Sequence, residues 1–286
     1  MEIVLALVAA LLFAVGTVLL QKAGMSEPAG GSDSGLLLRM ARKPVWLAGI
    51  VADGLGFVAQ AAALSIGRLA VVQPLLVSSV VFALPLGARF TGQRIRPADV
   101  GAAVLVVGAL VAFLTVANPA GGRDDAPLAD WLIAGAVVGG IAAPLVLVGR
   151  RLSPAPKAAL IGAAAGMLFA LSAALTKAVT DRLGEGIGEL LIDWRIYALL
   201  VIGYVSMTLN QIALGTGALA PAMATALALD PIASVVLGTT LLQESLHESA
   251  LGVAAIVVAL VAALAGMVIL ARGQAAEAAD VPSQAP

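Results

Sequence analysis

The sequence predicts an all-α integral membrane protein of about nine transmembrane helices, arranged as two inverted repeats of four around one unpaired helix (4+1+4). Three observations carry this prediction. Apolar residues make up 61% of the 286-residue chain and mean hydropathy is +1.05, more than a water-soluble domain of this size can bury. Charged residues are only 12% and gather between long apolar runs, as they do in the loops that flank bilayer spans. The chain also matches itself when slid along by 151 residues, a sign of internal duplication.

A hydrocarbon core of about 30 Å takes roughly 20 apolar helical residues to cross. Runs of that length lie near 3–24, 44–66, 69–90, 97–117, 128–149, 157–180, 195–216, 218–243 and 249–271. The first is preceded only by Met1-Glu2 and has no small-x-small cleavage site, so it reads as a helix rather than a secretory leader. Two connections are long: 25–43, with an amphipathic Leu36 to Lys43, and 181–194, with Gly184, Gly186 and Gly188; both read as interfacial turns. The expected organisation is a first repeat over 1–117, a connecting helix and loops over 118–156, a second repeat over 157–272 and a disordered tail over 273–286. Alternate threading of nine spans places eleven Lys and Arg (22, 39, 42, 43, 89, 94, 96, 150, 151, 157, 272) on one side and five (68, 123, 177, 182, 195) on the other. The positive-inside rule then puts the N-terminus outside and the C-terminus in the cytoplasm of a plasma (inner) membrane.

The balance of 16 basic and 17 acidic residues offers no surface for nucleic acid. With no cysteine and one histidine, His247, neither disulfides nor thiolate or histidine metal sites are expected. No nucleophile-base pair and no phosphate-binding loop stands out, so neither an enzyme nor a cofactor is predicted.

The duplication pairs Gln60 with Gln211, Ala62 with Ala213, Leu76 with Leu227, Leu86-Gly87 with Leu237-Gly238 and Gly101 with Gly252. At a slightly different offset, Leu12-Phe13-Ala14 matches Leu168-Phe169-Ala170. Four helices return the chain to its starting side, so the helix at 128–149 inverts the second copy. Repeats related by an axis in the membrane plane are the architecture of alternating-access carriers.

Asp230-Pro231, followed by Gln243-Glu244-Ser245-Leu246, and Gln73-Pro74-Leu75-Leu76, followed by Gly92-Gln93-Arg94-Ile95, resemble the motifs of the drug/metabolite transporter superfamily. The chain looks EamA-like and is most similar to the magnesium-transporter branch called NIPA. It departs from the superfamily pattern at Asp230, Gln93 and Ser245, and in having nine helices rather than ten. The resemblance implies a transporter fold and, in that branch, Mg²⁺ as the substrate.

Polar groups at bilayer depth are costly and therefore candidate sites. Asp53 and Asp230 lie near the middle of their runs; Gln60 shares a helix face with Asp53, and Tyr204, Thr208 and Gln211 form the corresponding stripe in the second copy. With Gln73, Thr225 and Ser79, these residues are expected to face one central cavity, and Asp53 with Asp230 to offer the carboxylates for a hydrated Mg²⁺. The alternatives are bland. Asp53 pairs with Lys177, the glutamines bond between helices, Tyr204 is a packed aromatic, and Glu244 and Arg94 are solvated interfacial charges. Pro74, Pro85, Pro221 and Pro231 are expected to break corresponding helices, and Gly101, Gly108, Gly135, Gly139, Gly140, Gly162 and Gly166 to sit at helix contacts. The expected partners are the lipid bilayer, a small solute or cation and a second copy in a homodimer. The expected function is transport of a divalent cation or of a small metabolite against protons, with a non-transporting membrane scaffold as the alternative.

Overall fold

In a bilayer every backbone amide must find a partner within the chain, so apolar runs that avoid interior charge fold as helices. The computed structural model describes residues 1–25, 42–92, 95–184, 186–246 and 250–280. In order these form α1 (Glu2–Met25), α2 (Pro44–Ile66), α3 (Leu69–Leu76), α4 (Ser79–Thr91), α5 (Pro97–Ala117), β1 (Ala120–Gly121) and α6 (Leu128–Gly149). The chain continues through α7 (Pro154–Leu183), α8 (Ile187–Ile192), α9 (Trp194–Leu214), α10 (Leu219–Thr240), β2 (Glu244–Ser245) and α11 (Ala250–Asp280). Proline in the first turn starts α2, α5 and α7, where its missing N–H costs nothing.

Eight helical segments among the described residues are long and apolar enough to cross a membrane, counting α3 and α4 as one. A ninth apolar stretch, Gly252–Gly266, lies within α11. Their outer faces are greasy: Val104, Leu132, Leu200 and Val258 are each more than 60% exposed, which suits lipid rather than water. The protein is thus a multi-pass helical membrane protein. The expected disordered tail is corrected over 273–280, which continue α11 because Ala, Gln and Glu are strong helix formers. His247, Gln93, Arg94, the amphipathic segment before Arg42 and residues 281–286 lie outside the described residues.

Helix α7 is the hub, packed against α6, α9 and α10 and touching α2 and α3. On the other flank α1 packs on α2, α3 and α4, while α5 packs on α11 and α10 meets both α3 and α11. Close approach explains some glycines and not others. A Cβ at Gly162 or Gly166 would lie 2.5 Å from the carbonyl oxygens of Ala222 and Ala226, so this Gly-x-x-x-Gly face lets α10 rest on α7. Gly16, Gly49 and Gly56 do the same between α1 and α2. Gly101, Gly108, Gly135, Gly139 and Gly140 have nothing within 4 Å of such a Cβ, which corrects the expectation that they sit at contacts.

The third span is broken. Val77 and Ser78 donate to Pro74 and Leu75 in tight i−3 turns, and Ser78 Oγ also donates to Leu75 O at 2.6 Å. Pro74 supplies no N–H and crowds the preceding turn, so the helix restarts at Ser79. Breaks were also expected at Pro85 and, in the second copy, at Pro221 and Pro231, but α4 runs unbroken through Pro85 and α10 through both of its prolines.

One end of the bundle is tied shut by charges. The first amides of α3 are capped by two carboxylates from distant elements: Arg68 N donates to Glu2 at 2.9 Å, while Leu69 N and Ala70 N donate to Glu244 at 2.6 and 2.9 Å. Lys177 donates to the carbonyls of Leu64 and Gly67 and pairs with Asp124 at 2.8 Å, so the expected pair with Asp53 is corrected: Lys177 caps the C-terminal end of α2 instead. Arg195 joins Asp125 and Asp193, and Arg123 donates to Leu241 O. The two-residue ladder of β1 with β2 links the α5–α6 and α10–α11 connections across the same end. Burial alone would raise Asp193, yet the N–H and guanidinium of Arg195 and the charge of Arg182 hold it below its ordinary 3.8. Its contribution is therefore present above that value and fades as pH falls through the lower one.

Glu244 was expected to be a solvated charge. It is 3% exposed, seated between Gly122 and Gly238, at each of which a Cβ would collide with it. Burial pushes its carboxyl above the usual 4.5 against the opposing pull of the Ala70 and Leu69 amides, Lys177 and Arg68. The closed end is accordingly favoured in acid and loses that increment as pH rises through the raised value. Glu244→Ala strips two buried amides of their acceptor and is expected to cost about 1–3 kcal/mol, read as a fall in the thermal unfolding midpoint in detergent. Glu244→Gln should lose less and flatten the pH dependence.

Candidate binding cavity

Seven helices enclose a cavity of about 630 Å³ that draws its walls from both ends of the sequence. Helix α1 contributes Phe13, α2 contributes Phe57 and Gln60, and the broken span contributes Gln73, Leu76, Val77 and Ser79. Helix α7 adds Phe169, Ser172 and Thr176; α9 adds Gly203, Met207, Asn210 and Leu214; α10 adds Met223, Leu227, Asp230 and Pro231. The space reaches Leu214, the last residue of α9, and Met223 near the start of α10, and stops beneath the charged closure at the Glu2 end.

Its chemistry is one carboxylate among amides, hydroxyls and apolar walls. Asp230 accepts from Ser234 Oγ at 3.3 Å through Oδ1, and among the described residues no donor is recorded for Oδ2. Gln73 is 4% exposed and its Nε2 finds no hydrogen-bond partner among the described residues, an uncommon condition for a buried amide. The break at Val77-Ser78 is what turns Leu76, Val77 and Ser79 together towards this space. Ser172 and Thr176 lie one helical turn apart on α7, and the Thr176 hydroxyl is spent on the Ser172 carbonyl at 2.9 Å.

Of the residues singled out from sequence, Gln60, Gln73, Ser79 and Asp230 come together here. Asp53 does not. Its carboxylate lies over Gly16, between α1 and α2, where a Cβ on that glycine would overlap it. The expected pair of aspartates around one metal ion is therefore not formed, and among the described residues no three acidic or histidine side chains gather into a metal-binding group. Tyr204 is 74% exposed, Gln211 is exposed and Thr208 half-buried, and none of the three lines the cavity. Thr225 bonds its own helix at Pro221 O and packs beneath Gly162.

Sequence reasoning missed Asn210. It stands one position before Gln211, and one residue on an α-helix turns a side chain by about 100°, enough to exchange cavity for bilayer. The 151-residue register carried no signal for it: Phe57 and Gln60 match Thr208 and Gln211, whereas the cavity takes Met207 and Asn210, each one position earlier. Asn210→Ala is expected to weaken solute binding severalfold, whereas Gln211→Ala and Tyr204→Phe leave binding unchanged and stability within about 0.5 kcal/mol. Calorimetry on the three variants reads both quantities.

This is a multi-pass helical membrane protein with a largely apolar cavity between its helices that holds one carboxylate. The chain belongs to one family with an uncharacterized protein of Corynebacterium glutamicum, to which it is 32% identical over 250 residues, 85% of each chain. No protein-family model matches the chain, and no solved structure does.

Proposed function

We propose that the protein is a secondary transporter that moves a small solute by alternating access around the cavity at Asp230. The observation that carries this reading is the pairing of cavity walls by the sequence duplication. Phe13 with Phe169, Leu76 with Leu227 and Ser79 with Asp230 are matched positions of the two copies, and all six line the same space. Backbone conformation agrees: Gly92 and Gln243, also 151 residues apart, are both left-handed, at φ 75° and 56°. Packing agrees as well, since α1 rests on α2 and on α3–α4 as α7 rests on α9 and on α10, while α3 meets α10 and α5 meets α11 between the copies. The resemblance to the drug/metabolite transporters points the same way.

Two inverted copies have two equivalent conformations, and exchanging them moves the opening from one end to the other. With the excess of Lys and Arg cytoplasmic, the tied Glu2 end is external and the cavity reaches towards the cytoplasm. Between the two substrates open from sequence, the lining favours a small metabolite. A hydrated Mg²⁺ calls for one or two carboxylates with a shell of oxygen ligands, and here Asp230 stands against phenylalanine and methionine without Asp53.

The chain has no cysteine, so single thiols report cleanly. Thr176→Cys, beneath the tied end, and Met223→Cys, at the other, are to be labelled with a membrane-impermeant maleimide in sealed vesicles, with and without Glu244→Ala. Alternating access predicts that loosening the tied end exposes the first thiol and protects the second. Accessibilities that do not change together would favour a fixed scaffold.

A further inference from the structure

The cavity's lining narrows what it takes, an inference that rests on the transporter reading above. We propose that it binds a protonated primary or secondary amine that also carries a hydrogen-bond acceptor and an apolar body. Among the described residues Asp230 is the only charged one of the lining, so the cavity complements one positive charge and gives an anion no partner. The large apolar side chains of the same lining include Phe13, Phe57, Phe169, Met207 and Met223. Ring faces and thioethers attract an organic ammonium and its hydrocarbon body but do not replace the water shell of a metal ion.

Two polar features specify the rest. Oδ1 of Asp230 is engaged by Ser234, which leaves Oδ2, with the amides of Gln60 and Asn210 in the same lining, to receive N–H groups; a quaternary ammonium has none to give. Gln73 lines the cavity and its Nε2, covered from solvent, has no hydrogen-bond partner among the described residues; once its amide turns into the space, a ligand with a hydroxyl or carbonyl acceptor relieves an unmet donor, and one without it leaves the donor unmet. The volume of about 630 Å³ lies within the range of sites for small organic ligands.

The test is calorimetric binding to the full chain in lipid nanodiscs at neutral pH. The probes are 2-amino-1-phenylethanol and phenylalanine amide, which have amine, acceptor and ring. The comparison compounds are 2-phenylethylamine without the acceptor, the N,N,N-trimethyl derivative of 2-amino-1-phenylethanol without N–H groups, 1-phenylethanol without the charge, and MgCl2. The two complete probes should bind at least about tenfold more tightly than phenylethylamine or the trimethyl compound, and phenylethanol and MgCl2 should give no saturable heat. Asp230→Asn should weaken the complete probes at least a hundredfold. Gln73→Leu should abolish the advantage of 2-amino-1-phenylethanol over phenylethylamine without weakening phenylethylamine itself, a selectivity change that misfolding does not imitate.

Equal binding of the trimethyl compound, Asp230-dependent binding of MgCl2, or no binding of either complete probe overturns the proposal. Binding is read here without transport. Reciprocal thiol accessibility with no amine binding therefore rejects this inference alone, and amine binding with fixed accessibilities rejects the transporter reading alone.

Discussion

Asp230→Asn is expected to reduce uptake of radiolabelled 2-amino-1-phenylethanol into proteoliposomes to the level of protein-free vesicles, with the unfolding midpoint little changed. Asparagine keeps the shape of the side chain and still accepts from Ser234 Oγ, so α10 has no reason to repack. What disappears is the only formal charge that the described residues bring to the lining. A cation that enters then surrenders its water to phenylalanine, methionine and neutral amides. Removing one partner of a buried charge pair costs about 3–5 kcal/mol, two to three and a half powers of ten at about 1.4 kcal/mol each. The same liposomes loaded with a Mg²⁺-sensitive dye separate the two substrate readings. Mg²⁺ entry that Asp230→Asn abolishes would restore the cation reading, and undiminished amine uptake would reduce Asp230 to a packing residue.

Gly166→Leu is the most damaging single change anticipated outside the cavity. A Cβ there would stand 2.5 Å from Ala226 O and 3.1 Å from Asp230 N, and both are backbone atoms that cannot swing aside. Leucine adds three carbons beyond that collision. Helix α10 must move off α7, at a cost of about 1–3 kcal/mol for ordinary overpacking and more where main chain is the obstacle. Because Asp230 N is one of the displaced atoms, stability and binding should fall together. Loss of the monodisperse peak on gel filtration, with the remaining folded fraction unable to bind amine, is the expected result. Gly101→Leu is the control: it faces open space and should behave as the parent protein. An unaffected Gly166→Leu would mean that the α7–α10 seam is looser than drawn.

The helices were legible because hydrophobic length and proline starts act locally. The runs expected at 44–66, 97–117 and 128–149 coincide with α2, α5 and α6, and Asp230, Gln60 and Gln73 stood out as polar groups in apolar runs. Facing was not legible for α9, where Gln211 offered an attractive match to Gln60 and the cavity took Asn210 beside it; in lipid both sides of a helix are apolar, so no hydrophobic stripe fixes its rotation. Glycine contacts were equally silent. Gly101 and Gly166 look alike in sequence, and only the neighbouring backbone tells a seam from a lipid-facing gap. Glu244 was misread for a third reason: its partners are amides of Leu69 and Ala70, and backbone donors carry no sequence signature at all.

That distance along the chain also sets a timetable for biogenesis. Leu69 and Glu244 are 175 residues apart, so at about 5–20 residues per second the ribosome needs roughly 9–35 s after making the start of α3 before its acceptor exists. Glu2 is available to Arg68 from the outset, but the next two amides must wait at the bilayer surface, satisfied by water or by the insertion machinery. The helices that precede α6 therefore leave synthesis with one corner unfinished. A chain halted anywhere before the connection that follows α10 carries that corner permanently, which gives quality control a local feature by which to tell a partial product from a finished one.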